Sequence, residues 1–161
     1  IAASGSMNGN TAVDWITAMN ADGGTGYLGY NHWHLPTMID TNAPGCDYSQ
    51  TGGTDCGYNV QTINTTLIPG SIIIYSVLAH LYYETLGNIG WFGTDGLETD
   101  CYPGNCLSNS GPFFNVQSNY YWSGTSIRTE TYSAGFSFKN GNQDTNLNFN
   151  DHNKISTLRK V

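Results

Sequence analysis

The sequence predicts a single-domain α+β fold stapled by disulfides. Three observations carry this. The N-terminal half holds two stretches whose apolar residues recur at helical spacing. The C-terminal third alternates apolar and polar residues in strand-like runs. Between them lie long irregular segments rich in Gly, Asn, Asp and Thr, and all four cysteines fall there. A chain of 161 residues accommodates one domain and leaves no room for a second full-sized core.

The first helix is expected to open at Asn10-Thr11-Ala12-Val13-Asp14, with Thr11 as N-cap and Asp14 completing a capping box. Ala12, Trp15, Ile16 and Met19 then share one face, and Asp22-Gly23-Gly24 ends the run. Residues 27–36 read as a turn followed by a short strand that Pro36 terminates or confines to an edge. Residues 40–70 form a polar loop region containing the sequon Asn64-Thr65-Thr66. Residues 71–86 hold the second helix. Ser76 is its N-cap, Ile72, Ile73 and Ile74 are a strand-like lead-in, Leu78, Leu81, Tyr82 and Leu86 form the buried stripe, and Gly87 takes the left-handed C′ position. Strands are expected at 120–125, 132–139 and 147–149, with Asn140-Gly141-Asn142 as a hairpin turn, and a last strand at 155–161.

Composition bounds the function. Charged residues make up only 11% of the chain, well under the roughly 25% of ordinary soluble domains. Neutral polar groups therefore carry the surface, as in exported proteins, and little desolvation opposes self-association. A net charge of −7 with only five Lys and Arg makes nucleic acid a poor partner, because phosphate binding needs clustered cations. No apolar stretch is long enough to insert across a membrane. Ile1-Ala2-Ala3-Ser4 carries neither the basic nor the apolar part of a signal peptide, so a secreted protein would be represented here by a mature or trimmed product.

The cysteines form two near pairs, Cys46/Cys56 and Cys101/Cys106, both in Gly/Pro/Asp-rich loops. Four thiols allow three pairings, and two local staples are expected. Neither pair has zinc-site spacing, and disulfides imply an oxidising, extracellular compartment. His32 and His34 would share a strand face, but no third metal ligand is evident, so they read as structural or surface histidines. Calcium is the better metal candidate, with Asp95, Glu98 and Asp100 in one loop as weak ligands for a structural ion. No nucleophile elbow or recognisable carboxylate pair is present, and a non-catalytic protein is expected.

Five motifs in order carry a resemblance: the helix with Trp15-Ile16; Tyr27-Leu28-Gly29-Tyr30-Asn31-His32-Trp33-His34-Leu35-Pro36-Thr37; Leu78-Ala79-His80-Leu81-Tyr82-Tyr83-Glu84-Thr85-Leu86-Gly87-Asn88; Gly111-Pro112-Phe113-Phe114-Asn115-Val116-Gln117-Ser118 with Tyr121-Trp122-Ser123-Gly124-Thr125; and Phe136-Ser137-Phe138-Lys139-Asn140-Gly141-Asn142-Gln143. The chain resembles the Lcl C-terminal domain family of bacterial extracellular adhesin domains. The resemblance implies a C-type-lectin-like fold: two helices packed on a twisted antiparallel sheet, with long loops gathered on one side; the residue pattern is read as placing both helices on one sheet face. It implies a secreted or cell-surface adhesion domain that recognises a glycan. The chain departs from the family's pattern at His34, where Arg is usual, and in the apolar run Ile72–Ile74. Its acidity argues against carrying over sulfated-glycan binding.

Eleven Tyr and four Trp exceed the needs of a small core, and such side chains suit recognition surfaces. The expected ligand-binding face comprises Tyr120, Tyr121, Tyr132, Asn140, Asn142, Asn146 and Asn148, contacting glycan or protein, while Trp33 and Trp122 are expected in the core. The alternative is a structural subunit of an extracellular fibre, sheath or surface layer, a homo-oligomer or filament associating through Ile72, Ile73 and Ile74.

Overall fold

The computed structural model describes residues 7–21, 26–38, 48–52, 56–63, 73–113, 115–126 and 132–148. Cys46, the sequon at Asn64, Ile72 and the expected strand at 155–161 lie outside them. The fold is α+β, with two short helices and a three-stranded antiparallel sheet. Helix α1 spans Gly9–Ala21. A short antiparallel pair follows, β1 (Gln61–Ile63) and β2 (Ile73–Tyr75). Helix α2 begins as Val77–Ala79 and continues in wider π-helical turns over His80–Thr85. Strands β3 (Tyr120–Ser126), β4 (Tyr132–Ser137) and β5 (Gln143–Asn148) form the main sheet in the order β3-β4-β5.

Helix α1 buries the expected stripe: Ala12 is 1% exposed, and Trp15, Ile16 and Met19 are half-buried. Its cap differs from expectation. The Thr11 backbone N–H donates to Asn8 Oδ1 at 2.9 Å, so Asn8 caps the helix and Thr11 lies within it. Asn and Thr offer the same chemistry at an N-cap, and the chain turns helical earlier. In α2, Ser76 is the N-cap as expected. Its Oγ accepts from the Ala79 N–H and donates to Gln143 Oε1 at 2.7 Å, tying the helix start to β5. The widened turns are visible in the Leu86 N–H, which donates to Leu81 five residues back. Gly87, at φ +66°, takes the left-handed position, and the Asn88 N–H reaches back to Tyr82 O.

The two helices do not share a sheet face. Tyr121 and Trp122 are neighbours on β3 and point to opposite sides. Tyr121, Phe136 and Phe138 pack with Leu78, Ala79, Tyr82 and Leu86 of α2. Trp122 packs with Met7 and Ala12, backed by Trp15, Leu35 and Leu147. The sheet is therefore sandwiched between α2 and α1. The Trp122 indole N–H donates to Met7 O at 3.0 Å, fixing the start of the described chain to the sheet.

Two local expectations are corrected. Residues 31–38 form no strand; they follow the far end of β3, where the Gly124 N–H donates to Pro36 O and Thr125 Oγ1 bonds both the N–H and the C=O of Met38. The β4–β5 hairpin is not a two-residue Asn-Gly turn. The Ser137 N–H donates to Asn142 O around a four-residue loop and Ser137 O accepts from the Gly141 N–H, with Gly141 at φ +77° and Phe138 fully buried. Burying Phe138 beside Tyr82 and Tyr121 favours the longer loop.

Candidate binding site

The structure separates the residues expected on a binding face. Tyr121 is 3% exposed within the α2-side core, and its hydroxyl accepts from the Gln117 N–H, so it is a core residue. Asn140 and Asn142 are buried as well: Asn140 Oδ1 accepts from the Asn142 N–H within the hairpin, while Asn140 Nδ2 donates to the Tyr58 hydroxyl at 3.5 Å and Asn142 Nδ2 to the Tyr120 hydroxyl at 3.2 Å. Polar side chains read as surface from the sequence are here turned inward. Tyr120 is half-buried at the start of β3. Tyr132 lies on β4 and Asn146 and Asn148 on β5, and their side chains are outside the described part of the structure. Ile73 and Ile74 pair with Ile63 and Thr62 of β1.

The loops at the hairpin end build a different surface. Its scaffold is backbone. Gly57 and Gln143 exchange two N–H···O bonds of 2.9 and 2.8 Å, sewing the 56–60 loop to β5. The Trp91 N–H donates to Asn140 O, and the Cys106 N–H to Lys139 O, sewing the 90–106 loop to the hairpin. Asn59 bridges the two loops, its Nδ2 donating to Gln50 O and Phe92 O. Cys101 and Cys106 form a disulfide that closes the second loop, next to the cis bond between Tyr102 and Pro103. Cys56 is disulfide-bonded and fully buried; its expected partner, Cys46, is outside the described residues.

On this scaffold five aromatic rings form a row, with edge-on contacts except for the tilted pair Phe92–Tyr102. Tyr48 meets Tyr58 at 6.3 Å between centroids, Tyr58 meets Phe92 at 4.9 Å, Phe92 meets Tyr102 at 5.7 Å, and Tyr102 meets Trp91 at 5.3 Å. Lys139 Nζ sits 5.6 Å from the Trp91 ring centre. The indole N–H of Trp91 is anchored on Gly104 O. Tyr58 is buried, whereas Tyr48 and Tyr102 open to solvent at 54% and 40%. The row thus has a buried ring at Tyr58, two solvent-open rings at Tyr48 and Tyr102, and half-buried Trp91 at its far end. Sequence reasoning missed it because irregular loops carry no periodicity. The available signal was positional: Tyr48 and Tyr58 flank Cys56, and Tyr102 lies between Cys101 and Cys106.

Burial favours the protonated form of two phenols at this face, Tyr58 and Tyr120. Burial, followed by interaction with Tyr48, pushes the Tyr58 hydroxyl well above its ordinary value, and Tyr48 also hydrogen-bonds to it. Burial is likewise the main cause of the upward shift at Tyr120, where the Asn142 amide opposes it and Asp144 and Tyr48 add to it. Protonated phenols donate and accept hydrogen bonds, so the site suits neutral hydroxyl-bearing ligands with apolar faces.

The calcium candidates do not converge. Among the described residues no group of three His, Cys, Asp or Glu side chains could hold a metal ion. Asp95 Oδ1 instead caps its own turn by accepting from the Leu97 N–H at 3.0 Å. Among the described residues, too, no helix is long and apolar enough to cross a membrane. Comparison of the chain with family models, with curated proteins and with solved structures finds no match.

Proposed function

We propose that the chain is a non-catalytic extracellular binding domain, related to the Lcl C-terminal domains and of C-type-lectin-like architecture, that recognises a neutral glycan through its stapled loop face. The row Tyr48–Tyr58–Phe92–Tyr102–Trp91 carries this reading. A saccharide presents apolar C–H faces alternating with hydroxyls. Rings with solvent-facing ends supply apolar contact, and neutral phenols beside amides supply hydrogen bonds. Pre-ordering by backbone bonds and a disulfide reduces the entropy lost on binding. The low charge of the chain and the disulfides support an extracellular setting.

The test is a glycan array read with wild-type protein and Tyr102→Ala. Binding to one or more neutral glycans is expected, with affinity falling about tenfold in the variant, as for loss of one aromatic contact. An array that stays blank, or a variant that binds equally well, would remove the loop face from the function.

A further inference from the structure

The two halves of the aromatic row are each tied to a cystine, and the two cystines differ in access. Tyr48 and Tyr58 flank Cys56, with the Tyr48 N–H donating to the Cys56 sulfur at 3.3 Å and the Ser49 N–H to Cys56 O. Cys56 is fully buried. The other half leans on the Cys101–Cys106 bond. There Cys106 is 2% exposed, Cys101 is half-buried, and residues 102–105 between them are all exposed. Thiol–disulfide exchange needs a thiolate to reach a sulfur. Of the three described cysteines, only Cys101 is open to solvent.

The row depends on the loop that this bond closes. Gly104 O accepts the Trp91 indole N–H at 2.9 Å, and the Tyr102 ring meets Trp91 at 5.3 Å and Phe92 at 5.7 Å. Gly104 and Tyr102 both lie between cysteines that are five residues apart. Covalent closure of so short a loop removes most of the conformations open to residues 102–105. The ends of the loop are held independently, by the Thr99 N–H on Trp91 O and the Cys106 N–H on Lys139 O. Opening the disulfide therefore releases the tip and leaves the ends in place.

We propose that the Cys101–Cys106 disulfide is a redox switch on the loop face, a regulation that rests on the binding function proposed above. A thiolate of a small dithiol attacks Cys101 Sγ. The S–S bond breaks, and Cys106 leaves as a thiolate that takes up a proton. The second thiol of the reagent then displaces Cys101, so the dithiol ends as a cyclic disulfide and the protein as two thiols. The released tip no longer holds Gly104 O against the Trp91 indole or the Tyr102 ring against Phe92. Tyr48 and Tyr58 keep their places, because Cys56 is out of reach. The row is complete in oxidising surroundings and shortened in reducing ones, so export from a reducing compartment switches binding on.

The experiment treats the folded chain with dithiothreitol and maps the freed thiols by alkylation and mass spectrometry. Two signals are then read: the Trp91 indole N–H resonance, assigned with Trp91→Phe, and affinity for the neutral array glycan that oxidised wild type binds best. Cys101 and Cys106 are expected to be alkylated while Cys56 is not. The Trp91 resonance moves, and that of Trp122, bonded to Met7 O, stays. Affinity falls about tenfold, to that of Tyr102→Ala, and dithiothreitol weakens Tyr102→Ala no further. Cys101→Ser/Cys106→Ser matches reduced wild type and does not respond to the reagent. Cys56 alkylated as fast as Cys101, an unmoved Trp91 resonance, or Tyr102→Ala weakened by the reagent as much as wild type would each overturn the switch. An affinity that survives reduction overturns the switch alone, whereas a blank array overturns the glycan reading and its regulation together.

Discussion

At the scale of single residues, the fold depends on polar side chains that each serve two partners. Ser76 Oγ caps α2 and bonds to Gln143 on β5, and both residues are buried. Ser76→Ala removes the cap and leaves Gln143 Oε1 without this donor, which should cost about 2 kcal/mol in denaturant unfolding. Tyrosines set the alkaline limit. Burial raises the folded-state values of Tyr58, Tyr82 and Tyr120 above the ordinary value of 10. Below pH 10 both states keep these protons, and stability is unaffected. Above it the unfolded chain ionises first, so stability should fall as pH rises. Tyrosinate absorbance should then appear together with loss of structure, and tyrosinate forming in a chain that stays folded would contradict that coupling. Residue identity also explains what the sequence concealed. Asn140 and Asn142 read as a polar surface, yet both are buried and their amide N–H groups donate to the Tyr58 and Tyr120 hydroxyls. Tyr121 read as a recognition residue, yet its ring is core and its hydroxyl is satisfied by Gln117.

At the scale of elements, legibility follows periodicity. The stripe Ala12, Trp15, Ile16 and Met19 and the stripe Leu78, Leu81, Tyr82 and Leu86 were readable, because burial on one helix face imposes a repeat on the sequence. The π-helical widening over His80–Thr85 leaves that pattern unchanged and was not readable. The opposite-face placement of the helices was foreshadowed by adjacent aromatics at Tyr121 and Trp122, since neighbours on a strand cannot face the same way. The β4–β5 loop gives the sharpest element-scale test. Gly141 sits at φ +77°, and an added Cβ would collide with the Tyr83 ring and hydroxyl. That hydroxyl donates to Gly141 O at 2.7 Å. Gly141→Ala should therefore cost about 3 kcal/mol through strain and displacement of Tyr83. A neutral result in denaturant unfolding would mean that the loop does not hold this conformation.

At the scale of the whole molecule, a sandwiched sheet fixes two helices while its hairpin end holds two loops, one of them closed by the Cys101–Cys106 disulfide, that bring their rings into one row. Tyr48 and Tyr58 come from one part of the sequence and Phe92, Tyr102 and Trp91 from another, so only the three-dimensional arrangement assembles them. The central claim is that this row binds a ligand. It is tested most directly by titrating the best array glycan into wild type and into Tyr48→Ala/Tyr102→Ala, which removes the two most exposed rings and leaves the buried Tyr58 in place. Saturable binding by wild type and a loss of about a hundredfold in the double variant, at unchanged melting temperature, is the expected result. Equal affinity in the two proteins would contradict the claim and move the search for the ligand to another surface.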